Sequence, residues 1–77
     1  MSNETLLEMW TVCSHPSDFP NNYTARRSVI HQGHVEMTGD VILGDTLAEV
    51  RNEMIMRGLT NIPRNPADDP VIVEVWL

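Results

Sequence analysis

The amino-acid sequence predicts a small α+β domain: an antiparallel sheet of three to four strands with one helix packed on one face, in the order β-β-(β)-α-β. Three observations predict it. Strand-like stretches occupy residues 9–14 and 23–31, and an almost wholly apolar stretch closes the chain at residues 71–77. One helix, with start and stop signals at its two ends, is signalled over residues 46–57. Strands met in succession and joined by turn-rich segments favour antiparallel pairing, with the helix laid across one face.

Residues 1–8 are expected to fray, which leaves residues 9–77 as a single domain. In the first strand Trp10 and Val12 point to one side, and Met9, Thr11 and Cys13 to the other. The following segment, His15-Pro16-Ser17-Asp18-Phe19-Pro20-Asn21-Asn22, is dense in turn formers. Its two prolines fix their own φ and bias the residues before them toward extended shapes, so the loop is stiff. The second strand offers two candidate inner faces: Ala25, Arg27, Val29 and His31, or Thr24, Arg26, Ser28 and Ile30. Gln32-Gly33 allows a turn, Val35 to Met37 starts a return strand, and Gly39-Asp40 breaks it. Val41-Ile42-Leu43 is then a short extended segment ending at Gly44.

Thr46-Leu47-Ala48-Glu49 fits a capping box, and Asp45 adds favourable charge at the positive end of the helix dipole. Leu47, Val50 and Met54 fall on one stripe, widened by Ile55. Glu53 and Arg57 are four apart in the favourable order for an ion pair. Gly58 suits a left-handed C′ position, from which Leu59 can pack back on Met54. Residues 62–70, with three prolines and Asp68-Asp69, form an extended acidic connector. In the last strand Val71, Val73, Val75 and Leu77 share one face, and Ile72, Glu74 and Trp76 the other. So apolar a strand belongs inside the sheet, beside the first strand.

A chain of 77 residues, 42% of them apolar, is long enough for one modest core. It leaves little room for a substrate pocket of roughly 300 Å³ or more. There are eleven acids against five arginines and no lysine, and a net charge of −6 repels phosphate backbones. Direct nucleic-acid binding is therefore not expected. The same charge suits docking on a basic protein surface, although scattered acids also serve solubility alone. The single cysteine, Cys13, forms no internal disulfide, and residues 1–8 lack a basic and apolar leader. No apolar run approaches the roughly 18 residues of a membrane span, so the expected location is cytoplasmic.

His15, His31, His34 and Cys13 contain ligand atoms for zinc, but only His31 and His34 have ligand spacing and no second pair accompanies them. Surface histidines are the plainer reading, and neither a metal nor a cofactor is expected. Cys13 and His15 share a strand face without an orienting third group or an oxyanion-hole motif, so an inert cysteine is expected and no catalytic residue is assigned. A row of carboxylates at Asp40, Asp45, Glu49 and Glu53, extended by Asp68 and Asp69, can imitate a phosphate backbone toward an arginine-lined groove. Phe19, beside Asp18 on the stiff loop, is a candidate anchor, or else folds back over the sheet edge. Arg26 and Arg27 can pair with Asp18 or Glu74.

At His15-Pro-Ser-Asp-Phe-Pro20, Gly44-Asp-Thr-Leu-Ala-Glu-Val-Arg51 and Asp68-Asp-Pro-Val-Ile-Val-Glu-Val-Trp76 the chain resembles short hypothetical proteins of bacteria and their phages. That resemblance implies a shared fold and brings no catalytic residue with it. A looser likeness, in size and charge alone, is to anti-CRISPR proteins, which are commonly small, acidic, cysteine-poor domains that occlude the DNA-binding surface of a host complex. Together these readings point to a non-enzymatic acidic inhibitor, monomeric, whose partner is a protein with a basic surface. The alternative is a chromosomal accessory domain that dimerises or binds an enzyme subunit through a sheet edge.

Overall fold

The computed structural model describes residues 7–77. Its elements are β1 (Leu7–Ser14), β2 (Tyr23–His31), β3 (His34–Gly44), α1 (Leu47–Met56), β4 (Asn61–Pro63) and β5 (Ile72–Trp76). The strands form one sheet in the order β3-β2-β1-β5-β4, with every neighbouring pair antiparallel. Five strands, not three to four, make the sheet. β1 also begins two residues earlier than expected, at Leu7; the rest of the segment expected to fray, residues 1–6, lies outside the described residues.

The extra strand follows from one backbone pairing distant in sequence. Thr60 and Leu77 exchange both backbone hydrogen bonds, at 2.7 and 3.0 Å, which starts a ladder that Asn61, Ile62 and Pro63 continue against β5. Pro63 has no N–H to donate and so suits the outer edge where β4 lies. On the opposite side, Gly39-Asp40 does not end β3 as expected. The β2–β3 register shifts between Arg26 and Ser28, and Gly39 adopts φ +86°. A bulge absorbs the irregularity and pairing resumes at Val41. The β2–β3 loop is the two residues Gln32 and Gly33, with φ of 50° and 79°, the positive values that a tight hairpin turn requires.

Antiparallel partners share a face, so the pairing Trp10↔Arg27, Val12↔Ala25 and Trp10↔Trp76 settles which side of β2 faces inward. The side of Ala25 faces the helix, while Thr24 and Ser28 on the other side are buried as well. α1 crosses this face and buries Val50 and Met54 against Trp10, Val12, Ala25 and Trp76, with Leu47 and Leu59 packed at the margin. Ile55 stands 61% exposed and does not widen the stripe. In β5 the register shifts where Cys13 meets Ile72, so strict alternation fails there. Val73 packs against the core that Trp76 helps to form, whereas Val75 lies opposite Thr11 on the other face.

The helix ends where its signals put them. The Thr46 hydroxyl accepts the Glu49 N–H at 3.2 Å, and the Glu49 carboxylate accepts the Asp45 N–H at 3.0 Å, one residue earlier than in the usual capping box. At the other end Gly58 has φ +76°, its N–H donates to the Ile55 carbonyl, and the Leu59 N–H donates to that of Met54. This is a Schellman cap. Gly44 marks the closest approach of helix and sheet: a Cβ there would meet Val50 Cγ2 at 2.8 Å and the Thr46 carbonyl oxygen at 3.2 Å. Gly44→Ala is therefore expected to cost about 1–3 kcal/mol by overpacking. A urea-unfolding midpoint equal to that of the parent protein would show that the helix entry tolerates the methyl group.

Candidate partner-binding surface

Of the eight residues singled out from the sequence, three come together. Glu49 and Glu53 are four apart and share the exposed side of α1, and Asp45 lies just outside the helix, before the N-cap. None of the three forms an ion pair among the described residues. Asp45 accepts only a long bond, 3.5 Å, from the Asn22 amide. The ion pair expected between Glu53 and Arg57 does not form, because the Arg57 guanidinium lies over the Trp10 ring, 5.0 Å from its centroid. Met56, 74% exposed, follows Glu53 by three positions and accepts a contact from the Asn52 amide to its sulfur. The outer side of the helix thus carries a pair of carboxylates with an apolar side chain beyond them. Sequence reasoning missed Met56, because the apolar pattern alone does not separate a core methionine from an exposed one.

The other acids are engaged within the fold. Asp18 binds Arg26, whose guanidinium also lies 5.7 Å from the Phe19 ring centroid. Arg26 projects on the sheet face away from α1, so these contacts hold the stiff loop against that face, with Phe19 half-buried. Asp40 takes a bond from Thr38 at 2.9 Å and from Arg27 at 3.3 Å, and Arg27 also binds Glu8. Asp68 and Asp69 act as turn formers, accepting the N–H groups of Asn65 at 3.2 Å and Val71 at 3.0 Å. The predicted row of six carboxylates is therefore distributed over a helix, a strand edge and a connector.

One polar constellation was not foreseen. Glu74 is only 4% exposed. It accepts bonds from Arg51 Nε and Nη2, the shortest at 2.7 Å, and from the Trp76 indole at 2.7 Å. Burial pushes its carboxyl up, but bonds from Arg51, Trp76 and Asn61 together outweigh that and hold it below the ordinary range. This group pins α1 to β5. Its sequence signal is a lone glutamate sharing a face with Trp76 in an apolar strand.

The candidate zinc and thiol residues do not converge. Cys13 and His15 lie at one end of β1, whereas His31 and His34 pair at the β2–β3 turn beyond its other end. His31 Nε2 is 3.3 Å from Glu36, and His15 packs edge-on against Tyr23. Burial raises the Cys13 thiol pKa and suppresses the reactive thiolate. Among the described residues no cluster of three or more His, Cys, Asp or Glu side chains is placed to hold a metal ion, and no helix is long and apolar enough to cross a membrane.

The sheet face away from α1 carries the loop of residues 15–22, and Thr24 and Ser28 on it are buried. Leu7, Val35, Met37, Leu43 and Ile62 are all exposed there, Val35 and Met37 at 59% and 64%. No protein-family model matches this chain, and no curated protein or solved structure matches it significantly.

Proposed function

We propose that this chain is a non-catalytic binding protein that docks on a basic, nucleic-acid-binding surface of a host complex, in the manner of a phage or mobile-element inhibitor of the anti-CRISPR kind. The observation that carries the reading is the group of exposed carboxylates Asp45, Glu49 and Glu53 at the start and outer side of α1, none of them in an ion pair among the described residues, in a chain of net charge −6. Glu49 and Glu53, one helical turn apart, stand about 5–6 Å from one another at Cβ. A rigid helix thereby offers arginines a spaced pair of acceptors, each able to take a bidentate bond. Met56 supplies an apolar contact beside them, and the overall charge accelerates encounter with a basic partner. Asp18, Asp40, Asp68 and Asp69 have internal roles and contribute mainly to the long-range field.

Asp45→Lys, Glu49→Lys and Glu53→Lys combined are expected to weaken capture of the partner at least about 100-fold, or about 2.7 kcal/mol. Far-ultraviolet circular dichroism should remain that of a folded domain. The partner captured by the unaltered protein should be a nucleic-acid-binding complex whose DNA binding is blocked. Retained capture by the folded triple variant would refute the docking reading.

A second reading rests on a different observation, the open apolar sheet face. It favours an accessory domain that pairs with itself or with an enzyme subunit, since exposed apolar patches of this kind mark association surfaces. Sedimentation separates the two. A monomer at micromolar concentration favours the inhibitor, and a stable homodimer dissociated by Val35→Glu with Met37→Glu favours the accessory domain.

A further inference from the structure

The sheet ends differently on its two sides. β4, one edge, is three residues long and closes with Pro63, so it has almost no backbone to offer a further strand. β3, the other edge, runs for eleven residues and contains neither proline nor lysine, two residues that commonly blunt an edge. No strand lies beyond it among the described residues. The bulge beside Gly39 interrupts β3 and leaves residues 34–38, next to the hairpin turn, as one regular stretch. The core takes in Ala25 and Ile42 toward the other end of the hairpin, and residues 34–37 are all exposed.

The two faces of this stretch differ in chemistry. Val35 and Met37, paired with Ile30 and Ser28, project on the face away from α1. Glu36, paired with Val29, projects on the helix face, 3.3 Å from the His31 imidazole. On that face the carboxylates of Glu8, Glu36 and Asp40 outnumber the Arg27 guanidinium that binds two of them.

We infer that residues 34–38 of β3 are a docking edge for an extended segment of a partner protein in which apolar and basic residues alternate. A strand laid against the edge takes its backbone hydrogen bonds from the outward N–H and C=O groups of β3. Its side chains stand beside those of β3 on the same face. Every second residue therefore covers Val35 and Met37 and is apolar, while those between stand beside Glu36 and are basic. A second copy of this chain fits less well. Pairing residues 34–38 with themselves sets Glu36 against Glu36, between chains of net charge −6 each. The edge stands apart from the docking proposed for α1, since Asp45, Glu49 and Glu53 lie outside it.

The test is titration of the full chain with a capped heptapeptide of alternating arginine and valine, followed by backbone amide resonances and their hydrogen exchange. Saturable shifts and slowed exchange are expected at residues 34–38, with residues 61–63 of β4 unmoved. A peptide of the same composition with its arginines and valines in two blocks should bind at least about tenfold more weakly, as should one alternating glutamate and valine. Glu36→Arg should reverse the preference between the two alternating peptides. N-methylation of every second peptide residue should abolish binding in one phase and spare it in the other, because only alternate N–H groups face the edge. The Asp45→Lys, Glu49→Lys, Glu53→Lys variant should bind the alternating peptide as its parent does, which separates this edge from the α1 surface. Unmoved resonances at residues 34–38, equal binding of the block peptide, or equal binding in both N-methylated phases would each overturn the assignment. Protection of residues 34–38 by self-association of the chain alone would make a second copy the occupant and overturn it too.

Discussion

Replacing Met54 with alanine is expected to lower the free energy of unfolding by about 2–5 kcal/mol. A chain of this length has only roughly 4–12 kcal/mol in total, so this one change removes a large part of its stability. Met54 has no exposed surface and belongs to the core with Trp10, Val12, Ala25, Val50 and Trp76. Its carbonyl also receives the Leu59 N–H that closes the helix. Truncation leaves a cavity at the place where helix and sheet meet, and a small core has few other contacts to relax into it. Ile55→Ala, one position along and exposed, should stay within about 0.5 kcal/mol. Urea unfolding of the two variants checks the orientation of the helix; equal losses would mean that α1 does not present Met54 to the sheet.

Arg51→Ala is expected to have the next largest effect, about 2–3 kcal/mol at neutral pH. A broken buried pair costs about 3–5 kcal/mol, and the exposure of the Arg51 side chain, 47%, places this one below that range. The loss comes from Glu74, which stays buried and charged with only the Trp76 and Asn61 donors left. The pH dependence follows from the lowered carboxyl pKa of Glu74 in the folded protein. A carboxyl with a folded-state pKa below its unfolded value contributes stability in full above the unfolded value, and the contribution disappears as pH falls through the folded one. The parent protein should therefore lose part of its stability below the ordinary carboxyl value of 4.5. Glu74→Gln should lack that part of the acid loss, and Arg51→Ala should show it at higher pH. Thermal melts between neutral and acid pH measure all three, and identical pH profiles would show that Glu74 is not the group that titrates.

What the sequence made legible, and what it did not, follows from the range of each interaction. The helix was readable almost to the residue because Thr46, Glu49 and Gly58 act within one turn of themselves. The placement of the last strand beside the first was readable because a stretch so rich in valine needs cover on two sides. β4 was not, since Asn61-Ile62-Pro63 has no strand signature of its own and pairs only because Leu77 reaches back to Thr60. The break expected at Gly39-Asp40 became a bulge because β2 holds the chain on both sides of it. The same distinction applies to the surface. Glu49 and Glu53 share one helix face because helical spacing is local, whereas the partners of Asp18, Asp40 and Glu74 depend on which strands meet. The pairing of Arg26 with Asp18 was one of the options the sequence offered; that of Arg27 with Glu8 and Asp40 was not.

The most direct measurement of the docking proposal is competition. The captured host complex, saturated with labelled duplex DNA, is titrated with the unaltered protein and with the Asp45→Lys, Glu49→Lys, Glu53→Lys variant, and the labelled DNA is followed by fluorescence anisotropy at two salt concentrations. The expected result is full displacement by the unaltered protein, weaker at the higher salt because charge drives the encounter, and no displacement by the folded variant at equal concentration. A complex that holds both the protein and the DNA at once, or a variant that displaces as well as its parent, would contradict it.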